Sequence, residues 1–101
     1  MTIRSEVSES GDTIKISISG RFDFSAHQDF RDSYEGSEPD SLRYQVDMSE
    51  TTYLDSSALG MLLLLRDFAG GDDGTVEILN CNPDVKKILT ISNFEQLFSI
   101  H

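Results

Sequence analysis

The chain has 101 residues with 18 acidic and 8 basic side chains, a formal net charge of −10, and one cysteine. That length gives one domain, spanning residues 1–101, and that charge excludes a nucleic-acid binder, because phosphates would be repelled. The lone Cys81 has no partner for an internal disulfide and reads as a small buried hydrophobe in a reducing compartment.

Residues 2–8 alternate, with Ile3, Ser5 and Val7 on one face, and residues 13–19 alternate more cleanly, with Ile14, Ile16 and Ile18 facing in. A period of two predicts half-buried strands, and Ser10-Gly11-Asp12 between them predicts an antiparallel hairpin. Gly20 reads as the end of the second strand. Phe22 and Phe24 flank Asp23, and Ser25 is placed to cap a helix carrying Ala26, Phe30 and Tyr34 at a spacing of four. Gly36 and Pro39 break that helix within residues 35–41. Residues 43–48 predict a third strand, with Tyr44, Val46 and Met48 on the inner face, and residues 49–52 read as a loop.

The next stretch organises the chain. Asp55 is an N-cap candidate, an apolar body of good helix formers follows, and Gly70 and Gly71 close it, so the pattern predicts a helix over 56–69. Ser56 and Ser57 put two hydroxyls on its N-terminal tip, where partial positive charge and unpaired amides suit an anion. Two apolar stripes run along it, Ala58, Leu59, Leu62 and Leu63, and Met61, Leu64, Leu65 and Phe68. One is enough for docking on a core, which leaves the other buried elsewhere or exposed for a partner.

Residues 71–74 read as a polar turn and 75–81 as a fourth strand. Asn82 caps a helix with Pro83 at its first position and Val85, Ile88, Leu89 and Ile91 along an apolar side, with Asn93 at its stop. Residues 94–100 hold Leu97, Phe98 and Ile100 for a last edge strand. Alternating strands and helices favour parallel pairing through right-handed crossovers. The predicted architecture is α/β: a small mixed sheet of four to five strands, an N-terminal hairpin plus parallel strands, packed with three to four helices.

Nothing in the sequence signals catalysis. His27 and His101 lack ligand spacing, no phosphate-cradling glycine loop is present, and Ser56 lacks the G-x-S-x-G context of a nucleophile elbow. The expectation is no enzymatic activity, no catalytic residue, no metal and no cofactor. The apolar run 61–65 is far short of the ~20 residues that span a bilayer, and residues 2–7 do not read as a secretory signal. The expected setting is the cytoplasm, without membrane insertion.

Asp55-Ser56-Ser57-Ala58-Leu59-Gly60 resembles the D-S-[ST]-[GA]-L-G signature of the anti-sigma factor antagonists of the STAS domain family. Gly20-Arg21-Phe22-Asp23 is similar to that family's G-x-[LF]-D, Val46-Asp47-Met48 to the strand before the signature, and Asn82-Pro83-Asp84-Val85 to the start of the next helix. The matches follow the family's order over most of the chain. The resemblance implies the same mixed-sheet fold, though many members continue into a further C-terminal helix that would lie beyond His101. It implies Ser56 as the phosphorylated serine. Its partners would be an anti-sigma factor that is also a serine-protein kinase and a PP2C-type serine phosphatase, with the chain a monomer or weak dimer. Unphosphorylated, the protein would bind the kinase and release the regulator it holds, a sigma factor or another output such as biofilm or motility control. The expected partner-binding residues are Asp23, Asp55, Ser56, Ser57, Gly60, Met61 and Leu64, with Asp55 fixing where Ser56 points and Gly60 allowing close backbone approach. Small single-domain members of the superfamily also serve as cytoplasmic subunits of lipid-transporting ABC complexes, which is the alternative reading.

Overall fold

Isoleucines at every second position of the second strand need one apolar layer to face, and the chain supplies it with helices on a single side of a sheet. The computed structural model describes residues 2–35, 43–71 and 76–101. Strand β1 (Thr2–Val7) and strand β2 (Thr13–Phe22) form the predicted antiparallel hairpin. Helix α1 (His27–Asp32), strand β3 (Arg43–Leu54), helix α2 (Ser56–Phe68), strand β4 (Val76–Leu79), helix α3 (Pro83–Ile91) and strand β5 (Ser99–Ile100) follow. The sheet order is β1-β2-β3-β4-β5, parallel from β2 onward. Crossovers of one hand that always step in one direction put every helix on the same face.

Parallel partners in register share that face: Ile14 with Tyr44, Ile16 with Val46, Val46 with Ile78. All five are buried, in one cluster with Phe30 of α1, Ala58, Met61, Leu62 and Leu65 of α2, and Val85 and Leu89 of α3. Aromatic rings link the layers. Phe22 meets Phe30 at 5.1 Å between centroids, Phe30 meets Tyr34 edge-on at 5.6 Å, and Tyr34 meets Phe68 edge-on at 5.1 Å. Such tilted pairs add to what area burial alone supplies.

The opposite face is polar and bound across the strands. Arg43 pairs with Glu77 at 2.8 Å, and Lys15 with Asp47 at 3.2 Å. Asp47 is 8% exposed, so burial alone would push its carboxyl up. The Ser49 amide, the Asn80 side chain and Lys15 instead hold it below the ordinary carboxylate value.

Four expectations need correction. Gly20 does not end β2: it sits at φ +86° next to a register shift, the strand bends there, and Phe22 is carried into the core while Arg21 points out. Residues 49–52 are not a loop. They continue β3, because the buried Thr51 hydroxyl donates to the Ile18 carbonyl at 2.8 Å and the ladder resumes from Ser19 paired with Glu50 to Phe22 paired with Leu54. Ser25 does not cap α1. It lies inside a short 3-10 turn, Phe24–Ala26, whose cap is Asp23. Finally, β4 closes at Leu79, short of Cys81, where Asn80 turns to φ +60°. Most of the expected break across 35–41 and most of the turn at 71–74 lie outside the described residues, as does Thr75.

Asn82 does two jobs. Its Oδ1 accepts from the Val85 amide at 2.8 Å, capping α3, and its Nδ2 donates to the Thr51 carbonyl at 2.9 Å, tying that cap to β3. Asn82→Asp keeps the cap and loses the tie. It is expected to cost about 1 kcal/mol in chemical denaturation, against about 2 kcal/mol for Asn82→Ala, which loses both. No loss in Asn82→Asp would show that the tie contributes nothing, and equal losses in the two variants would show that the cap contributes nothing.

Candidate functional site

The candidate site sits where β2 and β3 leave the sheet side by side. The Asp55 amide donates to the Phe22 carbonyl at 3.4 Å, so the residues after Phe22 and after Leu54 emerge together. Each strand ends in an aspartate that starts a helical turn. Asp55 has extended backbone, and its Oδ1 accepts from the Ala58 amide at 3.0 Å while its carbonyl takes the Leu59 amide at 3.2 Å. Asp23, also extended, accepts from the Ser25 amide at 3.0 Å and the Ser25 hydroxyl at 2.5 Å. The Ser25 hydroxyl first, then its amide, with help from Arg21, hold the Asp23 carboxyl below its ordinary value. The Arg21 guanidinium lies 3.7 Å from Asp23 and 4.5 Å above the centre of the Tyr53 ring.

Helix α2 carries the predicted site residues on two faces. Ser56 is exposed at the first helical position, one residue past the cap, and Ser57 beside it is half-buried. Ser56, Gly60, Leu63, Leu64 and Asp67 are all exposed, and their spacing puts them on one stripe. The buried stripe, Ala58, Met61, Leu62, Leu65 and Ala69, draws on both apolar stripes of the sequence. Neither stripe is buried whole, because the sheet takes a face between them. Leu64 is therefore the exposed member of its stripe, at 52%, while Leu65 is fully buried and Phe68 half-buried. Met61, expected at the partner surface, packs in the core at 3% exposure and borders the surface only through a groove.

That groove, about 430 Å³, lies between α1 and α2. His27, Arg31 and Glu35 line one side and Met61, Leu64 and Phe68 the other. Among the described residues, an atom placed as a Cβ on Gly60 would meet nothing within 4 Å, so no contact with them requires the glycine.

Three side chains at this end were not singled out from sequence: Arg21, Phe24 and Tyr53. Phe24 is 71% exposed and stacks on His27 at 5.8 Å. Its place beside Phe22 suggests a shared face, but the chain turns at Asp23 and sends one ring into the core and the other outward. Among the described residues, no group of three or more His, Cys, Asp or Glu could hold a metal, and no helix is long and apolar enough to cross a membrane. Burial pushes the Cys81 thiol up, which keeps it protonated and a poor nucleophile.

Residues 5–99 match the family model described as "Mlab, STAS domain". A STAS-domain containing protein of Pseudomonas aeruginosa (strain UCBPP-PA14) is 59% identical over 100 residues, covering 99% of both chains. Among solved structures, the fold is similar to that of a putative anti-sigma factor antagonist of Thermotoga maritima, with a TM-score of 0.80 at 14% identity over 97% of this chain and 84% of that one. It is also similar to the anti-sigma factor antagonist SpoIIAA in its unphosphorylated form, with a TM-score of 0.72 at 18% identity over 99% of this chain and 87% of that one. The phosphorylated form of Bacillus SpoIIAA gives 0.70 at 18% identity, over 99% and 91%. These structural likenesses, all under 20% identity, concern the fold. The family model and the close Pseudomonas relative carry more, and together they establish that the chain belongs to the STAS domain family.

Proposed function

We propose that the chain is a phosphorylation-switched binding module of the anti-sigma factor antagonist kind, acting in the cytoplasm without catalysis of its own. Unphosphorylated, it binds an anti-sigma factor that is also a serine kinase and so frees the regulator the kinase holds. Ser56 is the acceptor, and a PP2C-type serine phosphatase removes the mark. The observation that carries this reading is the exposed Ser56 hydroxyl at the head of an exposed stripe, Ser56–Gly60–Leu63–Leu64, on a helix capped by Asp55.

The physics of the switch is local. A phosphoserine brings about −2 charge at neutral pH. At a helix N-terminus, amides and dipole favour that anion, so the fold has no reason to yield. Against a partner the effect is opposite. A dianion beside Asp55 and Asp23 must be desolvated in a close interface and repels acidic groups, so the complex separates. Asp23, Asp55, Ser57, Gly60 and Leu64 form the surface around the acceptor. Met61 contributes from beneath, as part of the groove floor.

A second reading, a subunit docked on the ATPase of a lipid-transporting ABC complex, draws on the family model's description as Mlab. There the helix tip is a static contact. Affinity capture from native cytoplasm with Ser56→Ala and Ser56→Asp as baits separates the two. The switch predicts that Ser56→Ala brings down a small ATP-binding serine kinase and that Ser56→Asp recovers at least about tenfold less of it. Equal capture of an ABC ATPase by both baits would end the switch reading. Gly60→Ala probes the stripe itself. The chain should gain up to ~1 kcal/mol from helix propensity and bind the captured kinase more weakly. Unchanged binding would mean that no partner backbone or side chain packs against Gly60.

A further inference from the structure

Strand β1 is the outer edge of the sheet, and among the described residues no strand lies beyond it. Natural sheets blunt such edges with proline, bulges or inward charges. This one has none of these: its six pairs with β2 run from Thr2–Ser19 to Val7–Ile14 without a register shift. The Ser8 amide donates to the Thr13 carbonyl at 2.8 Å, continuing the ladder by one residue. That bond fixes the parity. Even-numbered residues turn their backbone groups toward β2, and Ile3, Ser5 and Val7 turn theirs outward. The side chains of Ile3, Ser5 and Val7 share the core face with Ile18, Ile16 and Ile14, yet Val7 remains 63% exposed. Arg4 and Glu6 stand on the polar face, across from Ser17 and Lys15.

We propose that β1 pairs antiparallel with β1 of a second copy of this chain, joining two sheets into one. Outward-facing residues must meet outward-facing residues, so only registers pairing odd positions with odd positions are open. Of these, the one centred on Arg4 sets Arg4 against Arg4, and the one centred on Glu6 sets Glu6 against Glu6. The register centred on Ser5 sets Arg4 against Glu6 twice, Ile3 against Val7 twice, and Ser5 against itself on the twofold axis. It aligns the most residues, Thr2 meeting Ser8 at each end, and it covers the exposed Val7. Opposite charges directly across strands favour this arrangement, and like charges penalise its neighbours. The partner is thus identified by self-complementarity of the edge. The proposal is independent of the Ser56 switch, which lies on α2.

Sedimentation velocity over a concentration series into the millimolar range tests it. The wild-type chain is expected to shift reversibly from monomer to dimer. Arg4→Glu and Glu6→Arg each create two like-charge pairs and should weaken dimerisation by about tenfold or more. An equimolar mixture of the two variants restores both attractive pairs and should dimerise as the wild type does, and so should the double swap. Ser5→Pro removes an outward amide that the hairpin does not use and should abolish the dimer while circular dichroism stays native. Because Glu6 faces Lys15, Glu6→Arg could disturb its own hairpin, and then Arg4→Glu and Ser5→Pro decide alone. A wild type that stays monomeric throughout overturns the proposal. So does a dimer indifferent to Arg4→Glu and Ser5→Pro.

Discussion

The Asp55 carboxylate bound to the Ala58 amide, with the Asp55 amide on the Phe22 carbonyl, sets the geometry on which the rest of the molecule depends. One contact starts α2 and the other ties that start to the neighbouring strand. Together they decide where the helix leaves the sheet, and hence which of its residues meet Ile16, Val46 and Ile78. Rotation of α2 about its axis would trade Met61 and Leu65 for Leu63 and Leu64 in the core. The cap holds Ser56 outward because it holds Ala58 inward. Fold and candidate site are therefore set by the same bond.

A sheet covered on one face only must make its other face satisfactory in water. Lys15, Arg43, Gln45, Asp47 and Glu77 do this by pairing across strands, with Asp47 tied by hydrogen bonds from three directions. The arrangement leaves the strand ends and the outer face of α2 exposed. Asp23 and Phe24 from one segment and Tyr53 and Ser56 from another gather there, because β2 and β3 end at the same level. This is the surface on which the proposed binding reading rests. It has charge, exposed aromatic rings and a hydroxyl, without a metal cluster among the described residues.

Much of this was legible in sequence where the signal is local. The isoleucine alternation, the caps at Asp55 and Asn82, Pro83 at a first helical position and the start of α2 at Ser56 all follow from short-range chemistry. What escaped depends on partners distant in the chain. Residues 49–52 look like a loop until Thr51 finds the Ile18 carbonyl. Both stripes of α2 look equally apolar until the sheet selects a face. Asp23 caps a 3-10 turn that holds Ser25 ahead of α1, because β2 runs two residues past Gly20 and delivers the carboxylate first. At the site, the cap at Asp55 and the serine after it were readable from sequence, whereas Asp23 was placed by its resemblance to a family motif and not as a cap. Arg21 over Tyr53 was not, since that contact needs the pairing of β2 with β3.

The central claim is that a phosphate on Ser56 changes the surface and not the fold. The most direct test is amide hydrogen exchange on the chain with phosphoserine installed at position 56, compared with the unmodified chain, alone and with the captured kinase. The account predicts that the Ala58 and Leu59 amides stay as protected as before, or more so, while the kinase no longer shields the exposed stripe of α2. Loss of protection through the first turn of α2 would mean that the switch works by melting the helix. Undiminished shielding by the kinase would mean that Ser56 is not the switch.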